Sequence, residues 1–202
     1  MIKVSKTLSY LLRHNAEKEG FTLLPGGYLY VDDILSNRKF HTVVTKEDIQ
    51  AIVETSDKKR FTLVQDEENQ RWKICANQGH SIQVDDLDLR PLENTEEFPI
   101  VVHGTYHKYW NCIAQQGLSR MNRNHMHFAA GLPGHDGVIS GMRSSCQVII
   151  YLDLKKALEG GLKFFVSANN VILSPGNESG VIETQYFFKV VDRRTGKKVL
   201  TY

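Results

Sequence analysis

The stretch RFTLVQDEENQRWKICA, residues 60–76, predicts a β-hairpin, and this hairpin decides the fold of the first half of the chain. Residues 60–65 and 71–76 are strand-like runs, and the polar segment 66–70 between them has the composition of a turn. Helices are predicted before the hairpin, over about residues 3–18, 31–36 and from residue 45 onward. Three helices followed by a hairpin is the element order of a winged helix, although a fold alone does not establish a function.

The boundaries of the first and third helices follow from local signals. Apolar residues such as Leu8 and Leu11 recur at the spacing of an amphipathic helix, which Gly20 is expected to end. Thr45 and Asp48 have the spacing of a capping box, in which each residue satisfies a backbone N–H of the other. The third helix is therefore expected to start at this pair.

Residues 85–99 are predicted to be a linker, because they are acidic, contain two prolines and lack strong periodicity. They would separate a lobe over residues 1–84 from a second lobe over residues 100–202. In the second lobe a strand over 100–105 and a helix over 107–116 precede several short β-rich runs and one brief helix. The sequence thus predicts an α+β protein with an N-terminal winged-helix lobe and a C-terminal β-rich lobe.

Composition limits the class of protein. A chain of 202 residues with a net charge of +2 does not require a polyanionic partner, so a nucleic-acid role depends on local basic clusters. The cysteines, Cys75, Cys112 and Cys146, are far apart, which predicts reduced thiols and a cytoplasmic or nuclear location. We expect no signal peptide and no membrane span, since no apolar run approaches about 18 residues.

Arg13 and His14 lie side by side at the end of the first predicted helix, and the run DKKR, residues 57–60, follows the third. Arginine offers a planar, permanently charged fork that suits phosphate, and histidine can move a proton near neutral pH. The pair therefore indicates a phosphate-binding active site. An explanation without function stays open, because cations stabilise the C-terminus of a helix and a run of basic residues is often only solvated.

Three further segments could contact ligands. QGHS, residues 78–81, follows the hairpin and offers donors to an anion, although it could be an ordinary polar turn. HGT, residues 103–105, closes an apolar strand just before a helix, where an open sheet often binds ligands, although its histidine could simply cap the strand. Arg123, His125 and His127 alternate and would share one face of a strand.

A metal site is not expected. The two histidines at 125 and 127 could form a metal pair, but zinc needs a third or fourth ligand at recognisable spacing. His107, His135 or Cys112 could be such a ligand, but no recognisable spacing in the sequence favours any of them.

Taken together, these segments resemble the RNA 2′-phosphotransferase family. The motifs that carry the resemblance are SxxLSYLLRH (5–14), SDKKRF (56–61), ANQGHS (76–81), VHGT (102–105), RNHMH (123–127) and SANNVIL (167–173). They span nearly the whole chain in the order of the family, and this ordered co-occurrence is far more specific than any single motif.

The resemblance implies that the winged-helix lobe binds RNA and that the second lobe has an ADP-ribosyltransferase-like fold that binds NAD. It implies an essential catalytic set of Arg13, His14, Arg60 and Arg123. The resemblance assigns His103, His127 and Val171 to NAD, and Gly104, Thr105 and Asn169 are expected to bind it too. The adenine contact stays open among Arg143, Ser140 and Asn169. The residues expected to contact the RNA and its phosphate are Lys59, Gln78, Gly79, His80 and Ser81.

The activity implied is transfer of the splice-junction 2′-phosphate of an RNA, expected to be spliced tRNA, to NAD. The products would be RNA with a 2′-hydroxyl, nicotinamide and ADP-ribose 1″,2″-cyclic phosphate. NAD would be consumed as a co-substrate, no metal is expected, and we expect a monomer. In this chemistry the arginines hold and neutralise phosphate, and His14 is the candidate general acid. Two alternatives stay open: an NAD-dependent ADP-ribosyltransferase that caps terminal phosphates of RNA or DNA, and a non-catalytic winged-helix RNA-binding module.

Overall fold

The structure, a computed structural model, describes residues 2–132, 141–143 and 145–199. The chain forms two compact units, Met1–Asp88 and Leu89–Tyr202. Helices and strands occur in both units, which confirms the mixed α and β class predicted from the sequence. Within the described residues, no helix combines the length and the apolar character that crossing a membrane would require.

The first unit begins with helix α1, Ile2–Tyr10, which passes into a π-helical turn, Leu11–Asn15, and then into a 3₁₀ turn, Glu17–Glu19. Gly20 ends this run with a left-handed φ of 82°, as the sequence predicts. The prediction of one uniform helix is wrong in a single respect, because the helix widens where Arg13 and His14 lie. Its apolar face is fully buried in the core of the unit.

Two more helices and a small sheet complete the first unit. Helix α2 is Val31–Ser36 and helix α3 is Lys46–Thr55. The capping box is confirmed, since the Asp48 N–H donates to Thr45 Oγ1 at 3.1 Å and the Thr45 N–H donates to Asp48 Oδ2 at 3.1 Å. The strands β1, β2 and β3 are Leu29–Tyr30, Phe61–Gln65 and Trp72–Ala76, and they form an antiparallel sheet in the order β1-β3-β2. The predicted hairpin is therefore confirmed to within one residue at each strand.

A seven-stranded antiparallel sheet forms the centre of the second unit, in the order β12-β8-β5-β7-β10-β9-β4. Its strands are β4 Leu89–Pro91, β5 Val102–Thr105, β7 Met126–Ala129, β8 Val148–Leu152, β9 Phe165–Ser167, β10 Val171–Ser174 and β12 Phe187–Asp192. A second, two-stranded sheet pairs β6, Leu118–Ser119, with β11, Val181–Ile182. The helices of this unit are α4, His107–Gln116, and α5, Leu154–Glu159. Both helices are the ones that the sequence predicts.

The predicted linker over residues 85–99 is wrong from residue 89 onward. Strand β4 lies at the edge of the seven-stranded sheet, with Leu89 opposite Ser167. A 3₁₀ turn, Thr95–Glu97, follows it, and Asn94 caps this turn with its side chain. A three-residue edge strand that contains Pro91 shows too little alternation to be recognised, although proline is tolerated at such an edge.

Candidate active site

The π-helical turn that carries Arg13 and His14 contacts the QGHS segment after β3. The backbone N–H of Ser81 donates to the carbonyl oxygen of Arg13 at 2.9 Å. Oγ of Ser81 lies 2.8 Å from Nδ1 of His14, across 67 positions of sequence. Two motifs that the sequence presents separately are thus brought together within one unit.

The guanidinium of Arg13 lies close to an aromatic ring and to a glycine. Its Cζ lies 6.0 Å from the centroid of the Phe61 ring, within the range of a cation–π contact. A Cβ placed on Gly79 would lie 3.3 Å from Nη1 of Arg13, and Gly79 has a φ of 94°. Close packing and a left-handed backbone therefore both favour glycine at this position. Nε and Nη2 of Arg13 are shielded from solvent.

Arg60 and Lys59 are positioned through their backbone by Asn77, which the sequence prediction did not single out. The N–H of Asn77 donates to the Arg60 carbonyl at 2.9 Å, and its Nδ2 donates to the Lys59 carbonyl at 2.8 Å. Oγ1 of Thr62 donates to Oδ1 of Asn77 at 2.6 Å. Asn77 stands directly before Gln78 in the ANQGHS motif, so the motif itself contained the signal.

Gln78 and His80, both predicted to contact phosphate, are buried, with 9% and 3% of their surface exposed. His80 packs against the predicted turn at Pro25–Gly27, where a Cβ on Gly27 would lie 3.5 Å from His80 Nε2. Lys59 is exposed. The side chains of Gln78 and His80 therefore lie in the interior of the first unit, and their predicted contact with phosphate stays a prediction.

In the second unit, His103 on β5 contacts the backbone of β7. Its Nδ1 lies 2.8 Å from the carbonyl oxygen of His127, and because a carbonyl can only accept, Nδ1 carries the proton. Burial lowers the pKa of His103, against the opposing effect of this hydrogen bond, and the charges of Arg123 and Arg143 lower it further. His103 is therefore neutral at neutral pH, with Nε2 free of a proton.

Arg123 lies in a turn before β7, and not on the strand. Its N–H donates to the Arg120 carbonyl at 3.2 Å, and Arg120 Nη1 donates to the Arg123 carbonyl at 2.7 Å. The prediction that Arg123, His125 and His127 share one face of a strand is wrong, because β7 begins only at Met126. The tight turn made by Arg120 and Arg123 ends the extended backbone that the prediction assumed.

Arg123 and Arg143 form a cationic pair. Desolvation by the surrounding protein, followed by the like charge of Arg143, lowers the pKa of Arg123. In the parts of the chain that the structure describes, the ion pairs do not include either arginine. A ligand with negative charge would relieve the repulsion between them.

Gly104 and Thr105 lie close to Met142, Cys146 and Gln147. A Cβ on Gly104 would lie 2.3 Å from Met142 Cγ and 2.9 Å from Cys146 Cβ, so only glycine fits there. Thr105 is buried, and its carbonyl accepts a hydrogen bond from the Gln147 N–H at 2.8 Å. This motif therefore supports the segment that carries Arg143.

Tyr106 is a site residue that the sequence prediction missed. Its hydroxyl lies 2.8 Å from Oγ of Ser145. Hydrogen bonds from Ser145 and then from Arg143 lower the pKa of Tyr106. The only signal in the sequence was its position directly after the VHGT motif.

Asn169 and Val171 lie at the turn between β9 and β10. Oγ of Ser167 lies 2.8 Å from Oδ1 of Asn169, and the Val171 N–H donates to the same hydroxyl at 3.1 Å. The side chain of Val171 is fully buried, and its predicted role in binding NAD stays a prediction. Ser140, the other predicted adenine contact, lies outside the described residues.

The candidate metal ligands do not assemble. His125 contacts the Phe165 ring at 6.1 Å between centroids, and burial lowers its pKa. His107 pairs with Asp192 at 2.7 Å, and Cys112 is a free thiol. Within residues 2–132, 141–143 and 145–199, no group of three or more histidine, cysteine or carboxylate side chains could hold a metal. His135 lies outside these ranges.

The sequence motifs, now placed in the structure, agree with the comparisons with known proteins. Residues 1–176 match a family described as RNA 2′-phosphotransferase, Tpt1 / KptA family. The chain belongs to this family, and the resemblance recognised in its motifs is confirmed.

Several named proteins are similar in sequence to this chain over most of its length. A Danio rerio protein named tRNA 2′-phosphotransferase 1 is 45% identical over 188 residues, which cover 92% of this chain and 83% of that protein. The tRNA 2′-phosphotransferase of Saccharomyces cerevisiae is 44% identical over 183 residues, which cover 86% of this chain and 78% of the relative. A probable RNA 2′-phosphotransferase of Trichormus variabilis is 36% identical over 173 residues, or 85% and 90% of the two chains.

Proposed function

We propose that this chain is a transferase that moves the 2′-phosphate of a spliced RNA, expected to be tRNA, to NAD. Family membership and the names of the relatives support the reaction class. The observation that carries the proposal is the contact between the Arg13–His14 turn and Ser81, because it joins a phosphate-binding side chain and a proton carrier to the family motif. The three helices and three-stranded sheet of the first unit support a winged-helix RNA lobe.

The residues of the second unit fit NAD. Arg123 and Arg143 offer two cations that repel each other, and a dinucleotide carries a pyrophosphate that would neutralise both. His103, Gly104 and Tyr106 lie in contact with the segments that hold these arginines. We propose that this cluster holds NAD in an ADP-ribosyltransferase-like unit. Bound there, NAD supplies an electrophilic ribose carbon with a neutral leaving group.

Arg13 and Arg60 would bind the 2′-phosphate of the RNA. A guanidinium donates to two phosphate oxygens in parallel, which fixes the direction of the phosphate as well as its position. Arg13 is already held by Phe61 and Gly79, so little side-chain freedom is lost when the phosphate arrives. Arg13 and Arg60 would also stabilise the negative charge that grows on the phosphoryl oxygens during transfer.

His14 would act as the general acid. When the bond between phosphorus and the RNA 2′-oxygen breaks, that oxygen leaves with an electron pair and needs a proton. His14 directly follows Arg13 in the π-helical turn, and the proposal places the ester oxygen of the bound phosphate within reach of its imidazole. His14 is therefore the residue that the proposal assigns to the second half of the reaction.

The test is to incubate the protein with NAD and an RNA that carries one internal 2′-phosphate. We expect RNA with a 2′-hydroxyl, free nicotinamide and ADP-ribose 1″,2″-cyclic phosphate, identified by mass spectrometry. An RNA without the 2′-phosphate is the control and should release no nicotinamide. RNA binding without any turnover, or products that stop at a modified terminal phosphate, would overturn the proposal in favour of one of the two alternatives.

A further inference from the structure

Ser81 makes two separate contacts with the π-helical turn. Its backbone N–H donates to the Arg13 carbonyl at 2.9 Å, and its Oγ lies 2.8 Å from His14 Nδ1. The backbone contact already fastens the QGHS segment to the turn. The hydroxyl is not needed for that attachment, and its contact acts on His14 alone.

We propose that Ser81 is a positioning residue, whose hydroxyl holds the His14 ring so that Nε2 is the nitrogen that gives its proton to the RNA 2′-oxygen. The inference rests on the proposed function, and it changes the role predicted for Ser81 from a phosphate contact to a partner of histidine. A hydrogen bond to one ring nitrogen fixes the orientation of the imidazole and so the direction in which the other nitrogen points.

The proton transfer balances with this geometry. The imidazolium starts with protons on both nitrogens, and Nδ1–H donates to Ser81 Oγ. The ribose O2″ forms a bond to phosphorus and releases its proton to solvent, while the bond between phosphorus and O2′ breaks and its electron pair goes to O2′. The bond between Nε2 and its hydrogen breaks, and an O2′–H bond forms. The ring is left neutral, with its remaining proton on Nδ1, where Ser81 still accepts it.

Single-turnover rates test the role of the hydroxyl. Ser81→Ala should slow formation of the 2′-hydroxyl by about 10- to 100-fold, the usual range for loss of an orienting partner. Release of nicotinamide should change by less than about threefold, because that step has no oxygen to protonate. Ser81→Thr keeps a hydroxyl and should restore the rate to within about threefold of the wild type. Ser36→Ala, an exposed serine at the end of α2, is the matched control.

A double-mutant cycle separates positioning from direct contact with phosphate. If Ser81 acts through His14, Ser81→Ala should cause no further loss in a His14→Ala background. An equal loss in both backgrounds, with a raised KM for the RNA, would overturn the inference and return Ser81 to a phosphate contact.

Nitrogen-15 NMR of the histidine rings gives a readout that does not depend on turnover. The Nδ1 signal of His14 should shift in Ser81→Ala, because this nitrogen loses its hydrogen bond with Ser81 Oγ, while the backbone amide signals show an intact fold. An unchanged His14 Nδ1 signal would overturn the inference. If the wild type shows no turnover, the proposed function itself is contradicted. If the wild type is active but the effects of Ser81→Ala and His14→Ala are additive, only the role of Ser81 is contradicted.

Discussion

The turn around Arg13 and the cluster around Arg123 are both cationic, but they are held in different ways. Arg13 lies close to Phe61 and Gly79, and its carbonyl accepts a hydrogen bond from the segment after β3. Arg123 lies in a turn beside Arg143, and the like charge of that neighbour contributes to lowering its pKa. Contacts within the first unit stabilise Arg13, whereas the positive charge of Arg143 repels Arg123.

This difference indicates that the two regions prepare for phosphate by opposite means. The first region is arranged before a ligand binds, so its residues contribute to both folding and activity. The second region is expected to gain stability when an anion binds, so its residues contribute mainly to binding. Four changes to the protein or its conditions distinguish these cases, and they follow in order of expected effect.

Arg13→Ala should have the largest effect, a fall on the order of 10³-fold in the single-turnover rate of 2′-phosphate removal, because charge stabilisation of the phosphoryl group is lost. The variant should also unfold more easily by about 1 kcal/mol, since the contact with Phe61 is lost. Chemical denaturation measures the second effect. Arg13→Lys keeps the positive charge but loses the two parallel donors of the guanidinium, so its single-turnover rate should stay well below that of the wild type. A fully active Arg13→Ala would contradict the arrangement described for the first region.

Arg123→Ala should lower the rate by about 10²-fold and leave the free energy of unfolding unchanged or slightly raised, because a repulsive charge is removed. Inorganic pyrophosphate should raise the melting temperature of the wild type and have a much smaller effect on the variant. Arg194→Ala, an exposed arginine in the same unit, is the matched control. A clear loss of stability in Arg123→Ala would show that the two regions are held alike.

Gly79→Ala should reduce the rate by about 10-fold, because the added methyl group would displace the guanidinium of Arg13. The matched control is Gly20→Ala. Gly20 has a similar φ of 82°, but a Cβ there would meet nothing within 4 Å. Both variants should lose about 1 kcal/mol of stability from the left-handed backbone. If both also lost activity equally, the contact with Arg13 would not matter.

The smallest effect should come from pH and should be confined to the second unit. The folded chain keeps His103 neutral to a lower pH, whereas the unfolded chain takes up the proton near its ordinary pKa of about 6.5. Stability should therefore fall as the pH drops from about 7 to about 5, because the unfolded state binds more protons there. Hydrogen exchange of β5 amides measures this loss, which His103→Gln should reduce. An equal pH response in the variant would assign the effect to other groups, such as His125.

Much of the fold follows from local sequence signals. The hairpin of β2 and β3, the capping box at Thr45 and the end of the first helix at Gly20 depend on residues close together in the chain. Strand β4 does not, because it exists only through its pairing with β9, more than seventy positions away. A short strand defined by a distant partner leaves no pattern of its own.

The site could be predicted as a set of residues but not as an arrangement. Arg13, His14 and the QGHS segment were recognised from their chemistry and from the resemblance, yet nothing local indicated that Ser81 bonds to His14. Asn77 and Tyr106 were missed for the same physical reason. Their importance comes from partners that are distant in sequence, such as the Arg60 carbonyl for Asn77 and Ser145 for Tyr106.

The π-helical turn over Leu11–Asn15 has a consequence for the evolution of the chain. Such a turn holds more residues than an α-helical one, and each residue added to or removed from an α-helix rotates the side chains beyond it by about 100°. A deletion of one residue between Ile2 and Gly20 would let the turn relax to an α-helix and point Arg13 and His14 elsewhere. The amino acids at exposed positions of this helix can therefore differ among relatives. The number of residues in the segment should stay constant, without insertions or deletions.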